Sequence, residues 1–240
     1  MNNKKKSALV LGATGLIGGH LLEYLLADET YEQVTTIGRR SVPWQDRKLK
    51  QIQAQVEDVL ALPIDAGRQS GDELSAAFRV QNKKDQLDIF CTLGTTMKKA
   101  GSRAAFERID FEYPLHAARL GLAGGARQFF IVTSMGADVG SLIYYNRIKG
   151  KIEDHLHHLQ YHSIQIFRPS LLIGERHEQR TGEDLGKALG SLIGGAMIGP
   201  LRKYKPIEAR IVARAMLRMA HRADSGIHTY ESDRIQELGR

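Results

Sequence analysis

The feature that most constrains this chain lies near its amino terminus: Leu11-Gly12-Ala13-Thr14-Gly15-Leu16-Ile17-Gly18-Gly19. It follows a short apolar run at residues 8–11 and opens a helically periodic stretch at 16–26. Strand, glycine turn and helix in that order form the phosphate-binding start of a βαβ unit. Gly12 permits the tight turn, Gly15 lets backbone approach a pyrophosphate, and Gly18 lets the helix pack close to the strand. The amides at the helix start, around Thr14, Leu16 and Ile17, then face the phosphates with the helix dipole behind them.

The rest of the chain repeats the strand–helix alternation. Strands are expected at 34–37, 52–56, 87–93, 128–133 and 163–167, and helices at 106–121, 144–159 and 207–222. Strands separated by helices imply a parallel sheet. The expected fold is α/β, a doubly wound parallel sheet in one domain spanning residues 1–240, with a small carboxy-terminal cap. Residues 176–186 read as a loop, and Gly190, Gly194 and Gly195 weaken any helix over 187–198. The substrate-cap segment is expected at about 172–206.

Composition bounds the chemistry. Cys91 is the sole cysteine, so no disulfide framework can form within one chain and a reducing, cytoplasmic setting is expected. There is no run of eighteen apolar residues, which excludes an ordinary membrane-spanning helix. The basic start is followed by too short an apolar run for a signal peptide. The net charge of +7 is within the range that keeps a domain soluble. Arg210, Arg214, Arg218 and Arg222 form a drifting basic stripe, read as a solvated helix face. Without aromatic interleaving or a recognised motif, the stripe does not point to nucleic acid. His155, His158 and His162 would share a helix face, but with no cysteine nearby they read as a solvated helix end, not a metal site.

The second strand ends in Gly38-Arg39-Arg40. An NAD site usually carries an acidic residue there for the ribose 2′-hydroxyl. Two guanidinium groups instead favour a 2′-phosphate, hence NADP(H). In doubly wound sheets the ligand lies outside the carboxyl ends of the strands. Glu57 and Asp58 after the third strand are candidates for the adenine amino group, and Leu93, Gly94 and Thr95 after the fourth for the ribose region.

The fifth strand ends at Thr133-Ser134, and Tyr145 and Lys149 follow, four residues apart. On a helix they share a face, and a lysine beside a phenol favours the phenolate. The tyrosine can then exchange a proton near neutral pH, while the serine polarises a carbonyl. Phe167-Arg168-Pro169 closes the next strand, which makes Arg168 and Pro169 further cofactor candidates.

Taken together, these strings resemble the short-chain dehydrogenase superfamily. They are most similar to the Tat-interacting-protein family of atypical members and its bacterial relatives, with matches over about residues 8–175. The matching strings are 11–18 with its G-x-x-G-x-x-G spacing, 37–40, 93–96 with 99–101, Ser134 with 136–138, Tyr145 to Gly150, and 167–169. The resemblance implies a Rossmann fold, bound NADPH and a Ser134-Tyr145-Lys149 site in which Lys149 also holds the nicotinamide ribose. Conventional members place an asparagine on the helix after the fourth strand; this chain has Asp110. The expected activity is NADP(H)-dependent oxidation or reduction of a small alcohol or carbonyl. Alternatives are an NADP(H)-binding sensor whose output is partner recognition, and a nucleotide-sugar epimerase or dehydratase. The expected partner is a small-molecule substrate, with no membrane involved.

Overall fold

The computed structural model describes residues 6–67, 71–81, 85–174 and 204–240. The expected loop at 176–186, the weak helix at 187–198 and most of the substrate-cap segment lie outside the described residues.

Seven strands form one parallel sheet: β1 (Lys6–Leu11), β2 (Tyr31–Gly38), β3 (Leu49–Gln53), β4 (Gln86–Cys91), β5 (Gln128–Val132), β6 (Ser163–Arg168) and a late strand, β9 (Gly226–Glu231). Their order is β3-β2-β1-β4-β5-β6-β9. The chain builds outward from β1 to β3, then crosses back to place β4 on the other side of β1. Such a reversal leaves a crevice at the strand carboxyl ends. Two short strands, β7 (Leu172–Ile173) and β8 (Ile207–Glu208), pair apart from the main sheet.

Both faces of the central strands β1, β4, β5 and β6 are largely buried, so these are nearly continuous apolar runs whose side chains alternate between two cores. Leu9, Leu11, Ile89, Cys91, Phe129 and Ile131 point into one core. Ala8, Val10, Phe90, Phe130 and Val132 point into the other. The first core is closed by α2 (Val56–Leu60), α5 (Arg103–Glu107), α6 (Tyr113–Ala123) and α7 (Tyr144–His157), with the short α3 (Glu73–Ala76) and α4 (Met97–Ala100) nearby. The second is closed by α1 (Leu16–Ala27), α8 (Ala209–Arg222) and α9 (Ser232–Leu238).

The carboxy-terminal third is more than a cap. α8 packs on α1, and β9 extends the sheet beyond β6. Three arginines of the basic stripe on α8, Arg210, Arg218 and Arg222, are exposed, as expected of a solvated helix face, and Arg214 is half-buried. Arg210 pairs with Glu208, Arg222 with Asp224, and Arg218 donates to the Leu238 carbonyl at 2.7 Å. The Arg214 guanidinium lies 5.6 Å from the Tyr24 ring centroid. Arg218 and Arg214 hold the chain end to α8, and Arg214 also reaches α1 through Tyr24.

Candidate functional site

The glycine turn is set by two close approaches. Gly12 sits at φ +90°, where side-chain-bearing residues are strained, and its carbonyl accepts the Gly15 N–H at 2.9 Å. A Cβ on Gly18 would lie 2.1 Å from the Gly12 carbonyl oxygen, so the first turn of α1 can only rest on the loop without one. Thr92, just beyond β4, locks the turn from the sheet side, its hydroxyl donating to the carbonyls of Leu11 (3.0 Å) and Gly12 (3.2 Å). Gly15 is the N-cap of α1 and offers no side chain to its amides, and no acidic residue occupies the first turn. Those amides remain open to an anion.

A cleft open to solvent runs along this turn. Gly12, Ala13, Thr14 and Leu93 line it together with Arg39 and Arg40, which leave the end of β2 exposed. Gln51 on β3 fixes the segment that follows them: it accepts the Val42 N–H at 2.8 Å and donates to the Val42 carbonyl at 3.3 Å. Ala54 and Val56 form the wall beyond β3.

Glu57 and Asp58 do not line this cleft. Asp58 closes the start of α2 by accepting the Gln55 N–H at 2.7 Å, and Glu57 pairs with Arg108 at 3.2 Å. Helix capping and a surface ion pair take the two carboxylates that were expected at the adenine. Arg168 is likewise committed elsewhere. Its guanidinium grips Glu153 through two nitrogens and reaches Glu231 at 3.1 Å. Glu153 in turn accepts the Thr133 hydroxyl at 2.6 Å, and the Pro169 carbonyl accepts the Met135 N–H at 3.1 Å. Arg168 and Pro169 therefore brace the strand ends beneath Ser134. The signal for Glu153 was available: it continues the four-residue stripe of Tyr145 and Lys149 along α7.

Ser134 follows β5, while Tyr145 and Lys149 lie on α7, which brings Lys149 against Asp110 and the Gly94 loop after β4. Among the described residues the buried Ser134 hydroxyl has no hydrogen-bond partner, a cost that a native protein usually keeps for a purpose. Tyr145, in the first turn of α7, packs against Phe106 with ring centroids 5.6 Å apart. Lys149 is 3% exposed, and its Nζ lies 2.7 Å from Asp110 Oδ1. Burial opposes its charge, but the Asp110 carboxylate, with a smaller contribution from Tyr145, prevails and holds the lysine above its ordinary pKa. Gly94 faces this pair: a Cβ there would lie 3.8 Å from Asp110 Oδ1 and 3.9 Å from Lys149 Nζ. Burial pushes the Cys91 thiol up to about 12, so it is an inert core group.

A parallel sheet reversing at β1 and β4, a three-glycine turn and an open helix end define a dinucleotide-binding Rossmann protein. Residues 8–136 match the NAD dependent epimerase/dehydratase family, and the chain belongs to it. Protein HTATIP2 of Rattus norvegicus is 35% identical over 190 residues, covering 79% of this chain and 72% of that protein. Protein FMP52, mitochondrial, of Candida glabrata is 31% identical over 219 residues, covering 90% and 85%. These matches bear out the resemblance to the atypical short-chain dehydrogenases. Among solved structures, MoeE5 in complex with UDP-glucose and NAD superposes with a TM-score of 0.65 at 15% identity, covering 94% of this chain and 76% of that one. Among the described residues no helix is long and apolar enough to cross a membrane.

Proposed function

We propose that this protein is an NADP(H)-dependent oxidoreductase that interconverts a small carbonyl compound and its alcohol. The observation that carries the reading is the single cleft shared by the Gly12 turn, Arg39 and Arg40. The turn and the open helix end suit a pyrophosphate, and the guanidinium groups suit a 2′-phosphate that a carboxylate in their place would repel. The residues fit such a cofactor, because Cβ atoms at Gly12 and Gly18 would collapse the cradle.

When bound, NADPH supplies the hydride. The unpartnered Ser134 hydroxyl is free to donate a hydrogen bond to the substrate carbonyl oxygen. Tyr145 gives its phenol proton to that oxygen as the alcohol forms, and takes a proton back in the reverse direction. Lys149, charged and four residues along the same helix face, stabilises the phenolate left behind. The partner in this reading is a small molecule rather than nucleic acid or membrane, and the buried thiol suits a reducing compartment such as the cytoplasm.

A second reading, an NADP(H)-binding sensor, draws on one specific feature. Val139, Leu142 and Ile143 are exposed apolar residues just ahead of Tyr145, and Leu142 is 98% exposed. A dinucleotide bound beside this segment could govern its contact with another protein.

Fluorescence titration with NADPH and NADH tests the cofactor, and turnover across a panel of aldehydes and ketones tests the chemistry. The expected result is tighter NADPH binding and a rate that Tyr145→Phe abolishes. Equal affinity for the two dinucleotides refutes the role of Arg39 and Arg40, and turnover that survives Tyr145→Phe refutes the proton step.

A further inference from the structure

Asp110 stands where the helical path from α5 to α6 widens into a single π turn over Arg108–Glu112. The cause is four residues on. Pro114 has no N–H for the Asp110 carbonyl, and its ring would strike that carbonyl in a regular α-helix. The turn opens instead, and the Tyr113 N–H reaches back five residues to the Arg108 carbonyl. The wider turn leaves Asp110 buried, 1% exposed. π turns of this kind occur frequently at functional sites.

Asp110 joins two parts of the site. One carboxylate oxygen lies 2.7 Å from Lys149 Nζ on α7. The other accepts the Thr95 N–H at 3.0 Å, in the loop after β4. Gly94, next to Thr95, leaves open the space in front of the ion pair. A neutral asparagine has only one acceptor oxygen and cannot serve both partners while compensating the buried ammonium.

We propose that Asp110 is a positioning residue, which holds the Lys149 ammonium and the Gly94–Thr95 loop in one fixed arrangement so that both meet the ribose side of the dinucleotide together. This rests on the reading of the cleft as an NADP(H) site. Asp110 touches neither cofactor nor substrate; it acts through Lys149 and the Thr95 amide. The substitution that departs from the conventional asparagine is thereby given a role: it trades an amide for a charged clamp.

A double-mutant cycle on the full chain tests the inference, with NADPH affinity measured by fluorescence titration and folding followed by thermal melting. The proteins are wild type, Asp110→Asn, Lys149→Met and the double variant. Asp110→Asn is expected to weaken NADPH binding by roughly tenfold or more, because the buried ammonium loses the counter-charge that holds it in place. In the Lys149→Met background the same change is expected to have less than half that effect on a logarithmic scale. A purely structural role would lower both melting temperature and affinity equally in the two backgrounds, and that result overturns the proposal. Wild-type affinity in Asp110→Asn overturns it too. Should Asp110→Asn fail to fold, Asp110→Glu keeps the charge but shifts it by one methylene. Weaker NADPH binding with a cooperative melt then supports the clamp, and unchanged binding refutes it. If the wild type binds neither dinucleotide, the reading of the cleft fails and the clamp with it. If the wild type binds and the cycle shows no coupling, only the clamp fails.

Discussion

The carbonyl oxygen of Gly12 occupies the place where a Cβ of Gly18 would be, 2.1 Å from it. That contact is backbone on backbone, so no rotamer change relieves it. Gly18→Ala is expected to push α1 off the loop and to cost about 1–3 kcal/mol, the usual range for overpacking. Gly15→Ala meets the same oxygen at 3.1 Å and is expected to cost less. Urea unfolding of the two variants checks the ranking, and the argument fails if Gly15→Ala proves the more damaging.

Much of this arrangement was legible in the sequence, for physical reasons. The glycine turn is encoded in contiguous residues, and the buried strands are encoded in apolar runs, so both could be read locally. The remainder depends on distant partners. β9 has half-exposed residues and no strong alternation, and it becomes a strand because β6 offers an open edge. Glu57, Asp58 and Arg168 stand at the expected strand ends, yet nearby capping positions and opposite charges claim their side chains. Position along the chain fixed where these residues sit, but not which neighbour they satisfy. Pro114 was the available sign that the helix around Asp110 is irregular.

The Arg168 guanidinium is the counter-charge for Glu153, which is 4% exposed. Arg168→Met leaves that carboxylate buried with only the Thr133 hydroxyl against it. Removing one partner of a buried ion pair typically costs about 3–5 kcal/mol, and the 25% side-chain exposure of Arg168 argues for the lower end. Adding Glu153→Leu should recover much of the loss, since the carboxylate then left without Arg168, that of Glu231, is partly exposed rather than buried. Because the guanidinium is turned to Glu153 and Glu231, NADPH affinity should change less than twofold. A large fall in affinity with unchanged stability would return Arg168 to the cofactor.

The Asp110–Lys149 pair predicts a pH dependence of stability with a definite sign. In the wild type the lysine pKa is raised above its ordinary value, so the stability it contributes is complete below about pH 10. That contribution is lost as pH rises through the raised native value. In Asp110→Asn, burial is left to dominate and favours the neutral amine. The variant therefore suffers most at neutral pH, where the unfolded lysine is charged, and recovers relative to wild type as pH rises toward 10. Urea unfolding from pH 6 to 10 measures the gap, and a gap that stays constant or widens would contradict the pairing.

Gly94 separates folding from binding more sharply than any other position in the site. A methyl group there would meet Asp110 and Lys149 at 3.8 Å and 3.9 Å, ordinary van der Waals separations. Gly94 is also absent from the positive-φ glycines, so alanine meets no left-handed backbone. Gly94→Ala should accordingly leave stability within about 0.5 kcal/mol of wild type, as most unstrained substitutions do. The same methyl group would project into the space in front of the lysine, where the ribose of a bound dinucleotide is expected. NADPH affinity should then fall by roughly tenfold, on the scale of an overpacked contact. Parallel thermal melting and fluorescence titration decide the matter: a stable variant that binds NADPH as tightly as the wild type would show that the dinucleotide does not pass between Gly94 and Lys149.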